Sequence, residues 1–396
     1  MSPHRSLART AAEVLWSGVQ ELRRPPRAQL PSLDALRSFA ILLVIFHHWS
    51  IKEFVRAGGV HTAAQDNLLF YYGWTGVDLF FVLSGYLIGK QLWRELQTTG
   101  TIRFGRFILR RGLRIWPIYF VILTYYALFS PIIHPSWPDW TFLSNYWYGQ
   151  FTRGWSLSTE EQFYIAVPLL LILVRRRLPL LGYLWLLLGI EAVLLVNRYA
   201  LIQRLVASGI SVASPPPKLT DPFHVHLEGL LAGLIIALLA VAKPRLVTPE
   251  ESPRGISWMG LWVMGVTTLL GFALRAADGD LFPFVALGLI FGGAMYWALR
   301  DRSWLSAPLR LSVWYPISRL SYSMYLNHWW VWPQSNRAIV HGVQGVVSNP
   351  TAVFLITMVI GTLLSVSIAA VMFVLIEYPF LQLRDRVLFV RDSSAH

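Results

Sequence analysis

The sequence predicts an all-α, polytopic membrane protein of about ten transmembrane helices with both termini in the cytoplasm. Three observations carry this. Of 396 residues, 55% are hydrophobic and only 14% charged, too apolar for a soluble globular chain. Apolar runs close to the roughly twenty residues that cross a bilayer recur at 33–53, 68–89, 107–129, 156–174, 178–196, 222–242, 256–275, 281–299, 316–336 and 352–378. With the N-terminus inside, 25 of the 34 Lys and Arg residues fall in or beside inner segments, eight fall outside and Arg37 lies within a span, the bias of the positive-inside rule.

That distribution accounts for the formal net charge of +13 and leaves nucleic-acid binding no place. Cysteine is absent, which excludes disulfides, thiolate metal sites and a cysteinyl acyl intermediate. The partner expected from composition alone is the lipid bilayer.

Residues 1–32 form a basic cytoplasmic segment without the apolar core of a signal peptide, so the first span is expected to be an uncleaved anchor. Leu7, Ala11, Leu15 and Val19 make a weak apolar stripe, either a short helix on the inner membrane surface or a disordered tail. Residues 33–380 form one membrane domain with no tandem repeat. Its longest polar breaks are 90–106, 130–155, 197–221 and 243–255, and the outer ones carry turn chemistry at Pro131, Pro135, Pro138 and Pro215 to Pro217. Inner basic residues cluster at Arg23 and Arg24, Lys90 to Arg114, Arg175 to Arg177, Lys243 to Arg254, Arg300 to Arg319 and Arg384 to Arg391. Residues 381–396 read as a short cytoplasmic tail with nothing appended.

The first span, LDALRSFAILLVIFHHWS, holds Arg37 and His48 eleven residues apart. At about 100° per residue this is three turns, placing both on one helix face. Such groups are costly in lipid and are expected to face a protected polar interior. In the second span, GVDLFFVLSGYLI, an unpaired Asp78 carboxylate would cost roughly 3 kcal/mol on insertion scales. Arg37 is its candidate partner, either for chemistry or only to orient two helices. Ser84 and Gly85 suit close helix packing.

At the inner start of the third span, Arg111 and Arg114 in FILRRGLRIWPIYF share a helix face. Two guanidinium forks suit phosphate oxygens, although positive-inside anchoring alone also accounts for them. WSLSTEEQFY enters the fourth span, with Ser158 as an expected N-cap ahead of Glu160 and Glu161. One glutamate serves the helix dipole, and the other is left to orient a histidine or bind a hydroxyl-bearing acceptor beside Trp155. DPFHVHLEGLLAG opens the sixth span with His224, His226 and Glu228. His224 and His226 point about 200° apart on a helix and suit no metal, so His226 and Glu228 are read as pocket-lining. His328 lies in SYSMYLNHWWVW beneath a tryptophan belt, and Glu377 in VLIEYPF stands near inner arginines.

The motifs LDALRSFAILLVIFHH, GVDLFFVLSGYLI, FILRRGLRIWPIY, WSLSTEEQFY, SYSMYLNHWWV and IEYPF, in this order from about Leu33 to Phe380, resemble those of acyltransferase family 3. These are integral-membrane O-acyltransferases that modify bacterial surface polysaccharides and some small molecules. The resemblance implies that His48, preferred over His47, is the reactive imidazole with Arg37, and that Arg111 and Arg114 contact an acyl-coenzyme A donor. It matches Glu160 to the glutamate of the family's tryptophan-serine-leucine motif. HLEGLLAG is similar to the family's arginine-x-aspartate-leucine stretch with His226 and Glu228 substituted, which leaves acceptor contacts there open. Members with an extracellular hydrolase-like domain carry it beyond the position where this chain ends.

The expected activity is therefore acyl-coenzyme A dependent O-acetylation of a hydroxyl on a sugar-containing acceptor, in the bacterial cytoplasmic membrane, with no permanently bound cofactor. His48, Arg37, Glu160 and Asp78 are the expected catalytic set. Trp155, Ser156, Glu161, His226, Glu228, Tyr325 and His328 are the expected acceptor-binding set. His48 serves either as general base or in an acyl-histidine relay. The alternative is a proton-coupled transporter or flippase using the same intramembrane charges, against which stands the absence of paired repeats.

Overall fold

A computed structural model describes residues 3–23, 30–49, 54–130, 133–147, 149–151, 154–174, 178–210, 219–247, 255–278 and 281–393, with side chains at 12–328 and 336–387 within those ranges. Pro131, Pro215 to Pro217, Arg24, Arg175 to Arg177 and Arg254, named above, lie outside them. The long helices are α1 (Pro3–Arg23), α2 (Pro31–His48), α3 (Gly76–Thr99), α4 (Phe104–Phe129), α5 (Trp155–Val174), α6 (Leu180–Ala207), α7 (Glu228–Ala242), α8 (Trp258–Ala277), α9 (Pro283–Arg300), α10 (Trp314–Gln344), α11 (Pro350–Met372) and α12 (Tyr378–Ser393).

Each of the ten apolar runs thus contains most of one long helix among its described residues. Among the described residues, six stretches are long and apolar enough to cross a membrane: α4, α5, α6, α8, α9 and the continuous Pro350–Val387. The other four runs fall short for physical reasons. α7 has only 15 residues, and α2, α3 and α10 carry the ionisable and polar side chains singled out in the sequence.

The helices divide into two units: Met1–Val77, Leu109–Ile122 and Leu309–His396 in the first, and Asp78–Ile108 and Leu123–Pro308 in the second. In the first, α2 and α10 run in the same direction. Near their starts Ser38 Oγ donates to the Trp314 carbonyl at 2.9 Å and Ser318 Oγ donates to Asp34 at 2.8 Å. Further along both, His48 meets His328. α11 joins α10 through Asn327, whose Nδ2 donates to the Ser365 carbonyl at 3.0 Å.

α1 resolves the alternatives left at the N-terminus. It is helical, and it docks on the first unit, with Glu21 accepting from Arg319 at 3.1 Å and from Tyr315 at 3.4 Å. Between α11 and α12 the backbone widens into a π-turn, Phe373–Glu377. Pro379 follows directly; its ring would clash with the carbonyl four residues back, Leu375, and a π-turn relieves that clash. The turn carries Glu377 inward, where it is 3% exposed.

In the second unit α3 and α7 touch backbone to backbone. A Cβ at Gly85 would collide with the Leu230 carbonyl, and one at Gly233 with the Val82 carbonyl, the close approach that small residues permit between membrane helices. α8 and α9 form a hairpin tied at one end by a loop carboxylate. Asp301 accepts from the Ser257 N–H at 2.8 Å and from Ser303 N–H and Oγ at 2.9 and 2.6 Å, while Ser257 Oγ caps α8 by accepting from Gly260. Burial opposes ionisation of Asp301, but the bonds from Ser303, Ser257 and Ser306 outweigh it and hold the carboxyl below its ordinary 3.8.

Gly85→Ala should destabilise the detergent-purified protein by about 1–3 kcal/mol, the usual cost of overpacking. Gly189→Ala, where nothing lies within 4 Å, should leave the melting temperature unchanged or raised. Because the Asp301 value is depressed, its contribution is complete at neutral pH, declines as pH falls toward 3.8, and is gone below its own lower value. Asp301→Asn should therefore lower the melting temperature at pH 7 and bring no loss relative to wild type in acid below that window.

Candidate functional site

In the first unit the polar residues form two layers along α2. α2 is unbroken from Pro31 to His48, so the eleven residues between Arg37 and His48 separate their backbones by about 16 Å of helical rise. The two share a helix without sharing a layer. Arg37 belongs to the layer nearer the start of α2, where its charge acts on Asp34 and on Glu377. The charges of Arg114 and Arg319 also act on Glu377, and Ser323 Oγ donates to it at 3.0 Å. Arg111, half-buried, stands one turn before Arg114 on α4.

The second layer holds the imidazoles. His48 Nδ1 and His328 Nε2 are 3.2 Å apart, and the two ring planes are inclined by 28°. His328 is fully buried, whereas His48 is half-buried. Tyr325, one turn back on α10, sets its ring 5.8 Å from His328. His47 turns the other way, its Nδ1 donating to the Phe70 carbonyl at 2.9 Å, and so anchors a loop. The tryptophans after His328 lie outside the residues whose side chains are described.

In the second unit Asp78, for which the sequence offered Arg37, bonds His226 at 2.8 Å. The partner was missed because it lies 148 residues away, in a segment expected to be helical. It is not an α-helix there: His226 sits in irregular backbone between a short 3₁₀ turn, Phe223–Val225, and the start of α7 at Glu228. Its Nδ1 donates to the Thr220 carbonyl at 2.6 Å, so both ring nitrogens are engaged. Phe284 covers one face of the ring with centroids 3.5 Å apart, and Trp155 stacks on it at 5.2 Å. Arg198 fixes the incoming loop by donating to the Leu219 and Val225 carbonyls at 2.8 and 3.2 Å. Glu228 is buried beside this group.

The start of α5 differs from expectation. The helix begins at Trp155, so Ser158 lies inside it rather than capping it, and Glu160 and Glu161 fall beyond the first turn. Their placement therefore owes nothing to N-terminal capping. Glu160 accepts a hydrogen bond from Ser84 Oγ, while Ser156 and Glu161 are buried. Asn145 donates to Thr159 and Gln162 at 3.2 and 3.0 Å, and Gln162 returns a bond to Asn145 at 2.9 Å, which locks this end of α5 to the preceding loop.

A family model for the Acyltransferase domain, Acyl_transf_3, matches residues 30–370. The chain belongs to acyltransferase family 3. This acyltransferase is 26% identical over 329 residues to the O-acetyltransferase OatA of Staphylococcus aureus strain NCTC 8325, covering 76% of this chain and 50% of that one. It is 29% identical over 172 residues to the peptidoglycan O-acetyltransferase OatA of Listeria monocytogenes strain EGD-e, covering 38% of this chain and 25% of that one. The chain thus spans about half the length, or less, of the curated relatives it matches. No solved structure matches it.

The sequence reading placed Glu377 near inner arginines without naming them, and counted Arg319 only among the inner basic residues; the structure brings Arg114 and Arg319 to Glu377. The signal was available in the four-residue step from Arg319 to Ser323, which places both on one face of α10 toward the carboxylate.

The Asp78–His226 pair is almost fully buried, with side chains 1% and 3% exposed, and removing one member of such a pair costs about 3–5 kcal/mol. Asp78→Ala should therefore lower the melting temperature sharply. The double variant Asp78→Leu with His226→Phe should recover much of the loss, because no isolated charge remains. A double variant as unstable as the sum of its singles would contradict this assignment.

Proposed function

We propose that this membrane acyltransferase moves an acetyl group from cytoplasmic acetyl-coenzyme A to a hydroxyl of a glycan or other sugar-containing acceptor of the bacterial cell envelope. In this reading all ten helical runs cross the cytoplasmic membrane and both termini face the cytoplasm. The observation that carries it is the pair of layers on α2 and α10: guanidinium groups at one end and a half-buried imidazole about 16 Å further along. Coenzyme A is polyanionic at one end and carries its thioester on a long thin arm, which suits such a separation. The O-acetyltransferase names of the two OatA relatives support acetyl as the group moved. The peptidoglycan substrate of the Listeria protein supports an envelope glycan as acceptor.

Arg111 and Arg114 hold phosphate oxygens by charge-assisted bonds, and Arg37 adds positive field to the inner layer, balanced by Glu377 and Asp34. His48 takes the proton of the acceptor hydroxyl as its oxygen attacks the thioester carbonyl carbon. The carbon–sulfur bond then breaks, and the departing thiolate takes the proton back from His48, leaving an oxygen ester and coenzyme A. In the first unit Tyr325, beside His328, serves the acceptor; in the second, Trp155, Ser156, Glu160 and Glu161 on α5 are acceptor-binding candidates in their own right. Asp78, His226 and Glu228 act at one remove, by fixing the loop and helix that carry them.

Acetyl-coenzyme A turnover in membranes tests this. His48→Ala should lower acetyl incorporation by about 10²–10⁴-fold, the contribution of a general base, at unchanged protein level. Arg111→Ala should raise the donor KM by roughly tenfold to a hundredfold, as loss of a hydrogen bond to a charged group implies. Movement of a substrate across the membrane without acylation would overturn the proposal in favour of transport.

A further inference from the structure

The geometry around His328 fixes more than its place beside His48, and the consequence rests on the reading of His48 as general base. His328 Nδ1 lies 3.2 Å from the Met324 carbonyl, one turn back on α10. A carbonyl oxygen only accepts, so Nδ1 of His328 carries a proton, and the neutral ring keeps its lone pair on Nε2. That lone pair faces His48 Nδ1 at 3.2 Å. Two lone pairs in opposition would repel, so His48 Nδ1 must be the donor. The low inclination of the rings, 28° with centroids 5.1 Å apart, lets the N–H of one point into the in-plane lone pair of the other.

We propose that His328 is a positioning residue that holds His48 as its Nδ1–H tautomer, leaving Nε2 as the nitrogen that takes the acceptor's proton. A solvated histidine side chain favours the opposite tautomer, with the proton on Nε2, so the choice needs a partner. In serine hydrolases a buried carboxylate makes that choice and also stabilises the imidazolium. Here a neutral imidazole makes it. His328 supplies orientation and a strengthened hydrogen bond when His48 becomes charged, without placing a negative charge beside the thioester. Because His328 is wholly enclosed while His48 is half-buried, only His48 is placed to meet substrate.

Nitrogen NMR of the full chain in lipid, labelled at its 10 histidines, reads this directly, with the His48→Gln difference spectrum assigning the His48 signals. Above its titration range, wild-type His48 should show a protonated Nδ1 and a bare Nε2. His328→Ala should transfer most of that population to the Nε2–H form, and His328→Gln should preserve the original form, since the glutamine amide oxygen reaches the same point and accepts. In turnover, His328→Ala should reduce kcat by about 10–100-fold, the size of effect when a bond orienting a functional imidazole is lost, with donor KM unchanged and most of the rate restored by His328→Gln. A wild-type His48 protonated on Nε2, or an unchanged tautomer in His328→Ala, overturns the positioning role while leaving the acyltransferase reading intact. Full acetyl transfer by His48→Gln overturns the general-base reading itself, whatever the tautomer.

Discussion

An ionisable side chain persists inside a membrane protein only with a partner that satisfies it, and the partners found for a few such groups organise both units. In the first unit, α2 and α10 run together and present matching polar positions at two heights. Asp34, Arg37, Arg114, Arg319, Ser323 and Glu377 form one set. His48 and His328 form the other. In the second unit His226 and Asp78 satisfy one another beneath two aromatic faces. The apolar helices around these groups supply bulk and a lipid surface, and their lengths follow from the bilayer.

The fixed rise of an α-helix turns this pairing into a functional geometry. Arg37 and His48 cannot both act on one atom, because about 16 Å of continuous helix separates them. They can act on the two ends of one extended donor. A thioester whose charged head and reactive carbon are far apart is suited to that division, and acyltransferase family membership supplies the chemistry to which it is put. The π-turn forced by Pro379 belongs to the same design, since it carries a carboxylate into a layer otherwise overcharged by three guanidinium groups.

Much of the fold was legible because a bilayer imposes long apolar runs, and a long helix occupies most of each run read from the sequence among the described residues. The family's arginine-to-histidine spacing prefers His48 over His47, and the structure has His47 bonding the Phe70 carbonyl. The pairings were not. His48 and His328 are separated by 280 residues and Asp78 and His226 by 148, and no local periodicity encodes a tertiary contact of that span. The Ser158 cap failed for a related reason. Asn145, from outside the helix, bonds Thr159 and Gln162 within α5, and the helix begins at Trp155, ahead of the local capping signal. Arg37, offered as the partner of Asp78, acts instead on Asp34 and Glu377, while Asp78 bonds His226.

The most direct measurement is an experimental structure of the full chain in lipid with a non-reactive thioether analogue of acetyl-coenzyme A. The account predicts phosphate oxygens within hydrogen-bonding distance of Arg111 and Arg114, and the analogue's carbonyl carbon adjacent to His48. An analogue whose carbonyl lies beside the guanidinium layer, or which reaches neither layer, would contradict it.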